Sequence, residues 1–117
     1  MANQILVQQQ ISVFCSSLGM MLHAGVPLQE AVGLFAQQNA ASFLEEDASV
    51  SPALRAAAAD MAEALARGDS FADAAAATGA FPAYALGVFR AAEFSGRLEE
   101  AMPRLADYYE RQSRLYD

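Results

Sequence analysis

The chain has no lysine: all seven of its basic residues are arginine, set against fourteen acids for a formal net charge of −7. No basic tract is available to exchange counterions with a phosphate backbone, which argues against nucleic acid as a partner. The same acidity opposes adsorption to anionic lipid headgroups. A basic protein partner suits such a surface, and solubility alone would equally account for it. Tryptophan is absent, and cysteine and histidine occur once each, as Cys15 and His23. A single cysteine excludes an intrachain disulfide and any multi-cysteine metal site. No apolar run approaches the roughly 20 residues that span a bilayer, and no charged-then-apolar leader opens the chain, so solubility is expected. Strand-like runs of Val, Ile and Thr are missing, as is an Asn-Gly or Asp-Gly hairpin signal.

The 55% hydrophobic content of these 117 residues contains much alanine, which favours helix and buries little area. The expectation is one domain of all-α class, a compact six-helix antiparallel bundle over residues 1–117. Residues 4–24 carry Val7, Ile11, Phe14, Leu18, Met21 and Leu22 on an inward stripe, with Gln9, Ser12, Ser16 and His23 opposite. Cys15 lies in that apolar stripe and reads as a small core residue of a reducing compartment. Pro27 pre-sets a second helix, 27–39, with Leu28, Val32 and Phe35 inward. Residues 40–51, with Glu45-Glu46-Asp47, read as a solvated connection ending in a Ser51-Pro52 helix start.

The third helix, 52–67, would bury Leu54, Ala58, Met61 and Leu65 and pair Glu63 with Arg67. Ser70-Phe71-Ala72-Asp73 is a capping-box variant opening a helix of 71–78, closed by Gly79. The fifth helix, 82–94, is apolar nearly all round, the pattern of a rod in the middle of a bundle. The sixth, 97–116, sets Leu98, Met102, Leu105 and Tyr109 on one stripe and spaces Glu100–Arg104, Asp107–Arg111 and Glu110–Arg114 for ion pairs. Pro103 should kink it near Glu99.

Three corners repeat one grammar: Gly25-Val26-Pro27-Leu28-Gln29-Glu30-Ala31, Gly68-Asp69-Ser70-Phe71-Ala72-Asp73-Ala74 and Gly96-Arg97-Leu98-Glu99-Glu100-Ala101. Glycine accepts the left-handed conformation that ends a helix, and the acid that follows offsets the free amides of the next first turn. Between the corners no catalytic apparatus is legible. There is no Gly-x-Ser-x-Gly, no phosphate-cradling glycine loop, and no His-x-x-x-His or Glu-x-x-His metal spacing. Glu45, Glu46 and Asp47 lack an acid-x-acid-x-acid-Gly calcium pattern. No catalytic residue, metal or cofactor is therefore assigned. His23 reads as a solvated helix-end residue favourable to the dipole, with phosphotransfer as the competing role. Glu93 either pairs with Arg90 or Arg97 to hold its corner, or faces a partner or a cation.

At these corners the chain resembles the F domain of type II secretion and type IV pilus systems. Leu22-His23-Ala24-Gly25-Val26-Pro27-Leu28-Gln29-Glu30-Ala31 is similar to its "L-x-x-G-x-P-L-x-E-A" opening. Leu65-Ala66-Arg67-Gly68-Asp69-Ser70-Phe71-Ala72-Asp73-Ala74 and Phe81-Pro82 resemble its middle segments. Ala92-Glu93-Phe94-Ser95-Gly96-Arg97-Leu98-Glu99-Glu100-Ala101, followed by Leu105-Ala106-Asp107-Tyr108-Tyr109-Glu110, resembles its closing motif "G-E-x-x-G-x-L-x-x-A". Ala92 stands where the family usually has glycine, Pro103 interrupts a normally smooth helix, and residues 40–51 match nothing in the pattern.

The resemblance implies a non-catalytic cytoplasmic domain of a polytopic inner-membrane platform protein, of which this chain would be an excised part. Implied partners are the secretion or pilus-assembly ATPase, other inner-membrane assembly proteins and a second copy of itself. The domain would lie on the cytoplasmic face of the bacterial inner membrane and couple the ATPase to pseudopilin or pilin assembly. Residues carried into a corner or partner-binding role are Gly25, Pro27, Leu28, Glu30, Gly68, Glu93, Gly96, Leu98 and Glu100. The competing function is a free-standing helical signalling module, either a phosphotransfer domain or an acidic adaptor.

Overall fold

Each helix packs on its neighbour in the chain, and the last closes onto the first. The computed structural model describes residues 5–37 and 50–115. Within them lie α1 (Gln8–His23), α2 (Leu28–Leu34), α3 (Pro52–Ala66), α4 (Phe71–Thr78), α5 (Ala83–Ser95) and α6 (Leu98–Leu115), with no strand among the described residues. The contacts run α1 to α2, α2 to α3, α3 to α4, α4 to α5 and α5 to α6, and the α1–α6 seam is the most extensive. The all-α six-helix expectation holds.

The ring of helices encloses a phenylalanine cluster. Phe14 lies against Phe35 and Phe81, with ring centroids 5.0 and 5.4 Å apart, and Phe89 meets Phe71 at 4.9 Å and Phe81 at 5.4 Å. These five rings come from α1, the turn after α2, α4, the α4–α5 loop and α5, so one apolar cluster ties most of the bundle together. Each buried phenylalanine contributes about 1.5–3 kcal/mol over an exposed one. Leu18, Leu54, Ala58, Met61, Val32, Met102 and Leu105 complete the interior, with Leu28 and Leu65 half-buried at its edge.

The helix boundaries follow local chemistry. Ser51 Oγ accepts the Leu54 N–H and Pro52 occupies the first turn of α3; Ser70 Oγ accepts the Asp73 N–H at α4. Gly79 ends α4 in the left-handed conformation. Pro27 and Pro82 stand one residue outside α2 and α5, as extended caps, so neither is the first helical residue. The expected continuation of the second helix beyond residue 37, and most of the expected connection, lie outside the described residues.

Three expectations are corrected. Helix α1 starts at Gln8, so Ile5, Leu6 and Val7 are extended and alternate: Leu6 is buried while Ile5 and Val7 are exposed. The Leu6 N–H bonds the Ala80 carbonyl at 2.8 Å, which seats this segment on the α4–α5 loop. The serine face of α1 is not its solvent face. Ser17 and Gly19 are buried, Ser12 and Ser16 half-buried, and Ser12 Oγ donates to the Ala106 carbonyl of α6 at 2.9 Å. Small residues let α6 approach closely: a methyl group added at Gly19 would stand 3.1 Å from Met102 Cβ and 3.4 Å from Pro103 Cδ.

Finally, α5 is not a central rod. Only Ala85, Phe89 and Ala92 of it are buried, while Tyr84 is 55% and Phe94 93% exposed. Its main contacts are with α4 and α6. Helix α6 runs without interruption through Pro103, whose ring packs into the space that Gly19 leaves open.

Candidate functional site

Gly25, Gly68 and Gly96 carry φ values of 91°, 98° and 73°. In each corner the residue after the glycine donates its N–H to the carbonyl five positions back: Val26 to Met21 at 2.9 Å, Asp69 to Ala64 at 3.0 Å, and Arg97 to Ala92 at 2.8 Å. Each glycine N–H bonds three back, to Leu22, Leu65 and Glu93 respectively. This paired pattern satisfies the end carbonyls of the helix and turns the chain sharply, and it needs a residue without Cβ at the left-handed position. Three motifs read from sequence are thus one structural device used three times.

Tertiary contacts bring the three corners together at one end of the bundle. His23, two residues before Gly25, places Nδ1 2.9 Å from Glu99 Oε2, three residues after Gly96. Glu93, three residues before Gly96, reaches the corner that follows Gly68. Its Oε2 accepts the Phe71 N–H at 2.6 Å and its Oε1 accepts the Ala72 N–H at 3.0 Å. Glu93 therefore pairs with neither Arg90 nor Arg97. It caps the first turn of α4 from another helix, where a carboxylate meets free amides and the positive end of the dipole.

The other acids and arginines sort differently from their spacing. Arg90 bonds Asp73 at 3.0 Å, which ties α5 to α4 a second time. Arg67 turns to Asp69 at 3.8 Å, not to Glu63. Arg97 takes Glu100 at 3.5 Å, so the expected Glu100–Arg104 pair is not formed. Asp107–Arg111 at 3.0 Å and Glu110–Arg114 form as spaced. All of these are exposed pairs, each contributing at most about 1 kcal/mol.

Of the remaining corner residues, Leu28 and Leu98 are half-buried beneath their turns, Pro27 and Glu30 are exposed, and Glu100 is exposed beside Arg97. Helix α6 divides two surface grooves. The first, about 670 Å³, runs between α1 and α6 and is edged by His23, Glu99, Asp107 and Glu110 over Ser16, Met20 and Pro103. The second, about 420 Å³, runs between α5 and α6 and is walled by Tyr84, Val88, Leu105 and Tyr108 with Arg97, Glu100 and Arg104 at its edge.

The titratable interior is inert. Cys15 is fully buried, and burial pushes its thiol far above the usual range, so it holds no reactive thiolate. The Tyr109 phenol is pushed up to about 12, first by burial and then by the neighbouring Tyr108, Cys15 and Tyr84. His23 is 85% exposed and cannot reach Cys15. Among the described residues no group of three or more His, Cys, Asp or Glu side chains could hold a metal ion. No described helix is long and apolar enough to cross a membrane. What the arrangement offers is a hydrogen-bonded end and two grooves. Sequence reasoning missed the target of Glu93, the small-residue seam of α1 and both grooves, because each is made by residues distant in the chain. The only signal for the first was an isolated acid in an apolar helix.

Comparison with known proteins matches residues 14–116 to the family described as "Type II secretion system (T2SS), protein F". No individual curated protein matches the chain.

Proposed function

From the premise that this chain belongs to the type II secretion system protein F family, we propose that it is a non-catalytic cytoplasmic interaction domain of an inner-membrane assembly platform. Members of the family serve secretion or pilus-assembly platforms. The finer reading is that this domain couples the assembly ATPase to pseudopilin or pilin assembly by passing on movement. The observation that carries it is the family match over residues 14–116, which spans five of the six helices completely and most of α1.

Physical support comes from the way the corners are joined. A relay of force must move as one body, and here the three turns are cross-tied by Glu93 to the α4 amides and by His23 to Glu99. A push on any one corner is therefore shared with the other two. Gly25, Gly68 and Gly96 set the turns in this reading, Leu28 and Leu98 seat them, and Pro27, Glu30 and Glu100 face outward for a partner. Glu93 serves the fold that presents them.

The test uses the exposed Glu30, which has no ion pair among the described residues. The purified chain, immobilised, should retain the assembly ATPase of the same bacterium. Glu30→Arg in the intact platform protein should reduce secretion or piliation while leaving the thermal midpoint of the domain unchanged. Normal assembly by a platform protein lacking residues 5–115, together with no retention of the ATPase, would refute the coupling role.

A further inference from the structure

The charge of α6 is segregated in a way the net value of −7 hides. Arg97, Ala101, Arg104, Tyr108, Arg111 and Leu115 succeed one another at spacings of four and three, so they form one stripe along the helix. Glu99, Pro103, Ala106 and Glu110 form another, which faces the α1 groove. The arginine–tyrosine stripe borders the α5–α6 groove, where the Tyr84 and Tyr108 rings meet at a tilt of 42° with centroids 4.8 Å apart. Arg97 and Arg111 have acid partners, but no described acid lies within ion-pair distance of Arg104. A guanidinium with no acid partner among the described residues thus stands over an aromatic-walled channel, the combination that dominates binding energy in protein interfaces.

We propose that the α5–α6 groove is the docking site for an amphipathic helix of a partner protein, its apolar face in the channel and an acidic side chain on Arg104. This rests on the reading of the domain as an interaction module and names one of its contact faces. The groove extends along α6 from Arg97 to Tyr108, about 16 Å or three helical turns, which suits a single short helix. Its shape favours a helix over a bilayer, since a channel between two rods is concave where a membrane is flat. Its charge favours an acidic helix, since among the described residues Arg104 has no acid partner and the one carboxylate at this groove, Glu100, is held by Arg97, while the carboxylates edging the opposite groove already hold Arg111, Arg114 and His23.

The probe is a synthetic helical peptide of about four turns with leucines on one face flanked by glutamates two turns apart, and a twin carrying lysines in their place. Both are titrated against the 117-residue chain by fluorescence anisotropy, with amide chemical shifts mapping the contact. The acidic peptide should bind and the lysine peptide should not, with shifts centred on Ala91, Ser95, Ala101 and Arg104. Arg104→Glu, at an exposed position, should weaken the acidic peptide roughly tenfold or more and strengthen the lysine twin, the reversal expected of one specific charged contact. Glu110→Gln, on the other side of α6, should change neither.

Several results would overturn the proposal: no binding of the acidic peptide up to about 1 mM (the weak limit of useful affinity), indifference to Arg104→Glu, or shifts confined to the α1–α6 groove. Binding of anionic vesicles through Arg104 with no peptide binding would replace the helix by a lipid surface. Any of these would leave the assembly role standing, since that is read by secretion or piliation and by retention of the ATPase.

Discussion

Replacing Glu93 should cost far more than its half-exposed position would normally imply. Its carboxylate accepts two N–H groups at the start of α4, at 2.6 and 3.0 Å. Hydrogen bonds to a charged group contribute roughly 1.5–3 kcal/mol each, and the dipole at a helix N-terminus adds up to about 1. Water can partly replace the acceptor at this edge of the bundle, so Glu93→Ala should lose about 2–4 kcal/mol in all. In a domain of this size that lowers the melting temperature by roughly 8–16 °C. Glu93→Gln keeps one acceptor oxygen and should lose about half as much. Urea unfolding followed by circular dichroism gives the energy, and amide hydrogen exchange gives the location, with Phe71 and Ala72 losing protection first. Ser70→Ala, which removes the local cap of the same helix, sets the scale at about 1 kcal/mol. If Glu93→Ala falls within ~0.5 kcal/mol of the parent, or Phe71 and Ala72 exchange as before, the cross-helix cap is not holding the corner.

Three further outcomes are expected. Gly19→Ala should destabilise by about 1–2 kcal/mol in urea unfolding: overpacking against Met102 and Pro103 outweighs the helix propensity gained, and a gain in stability would refute the tight α1–α6 seam. Phe89→Ala should cost about 3–5 kcal/mol, whereas Phe94→Ala on the same helix should change stability by less than about 0.5, because the first is fully buried and the second exposed. The domain should lose stability in alkali. The folded state holds the protons of Cys15 and Tyr109 above the pH at which the unfolded chain sheds them, so stability falls as pH rises. The Tyr109 contribution declines between about pH 10 and 12, and Cys15→Ala should soften the earlier part of the loss. Constant stability from about pH 8 to 12 in denaturant titrations would refute it.

The corners were legible because everything that makes them is local. A glycine, the carbonyls three and four residues before it, an acid in the first turn of the next helix and, at two of the three corners, a serine or proline at that helix start all lie within about ten residues. No distant contact has to be guessed to find them. The α5 helix shows the converse. Its composition reads as a central rod, yet Tyr84 and Phe94 are exposed, because what covers a helix is decided by its neighbours and not by its own residues. Arg67, Arg97 and Arg104 teach the same lesson for charges: helical spacing offered each a partner, and the shape of the corner gave Arg67 and Arg97 different ones and left Arg104 with none among the described residues.

By itself the sequence determined the all-helical class, the six rods, the three glycine turns and the family. These depend on backbone preferences and on interactions that close within one or two helical turns. Tertiary structure alone decided that Glu93 caps a helix about twenty residues away, that the turns meet at one end, and that α6 divides an acidic groove from an arginine–tyrosine one. Such pairings depend on how rods are rotated and set in register against each other. That is fixed by the packing of the whole interior at once, around Phe14, Phe71 and Phe89, and no short stretch of chain carries it.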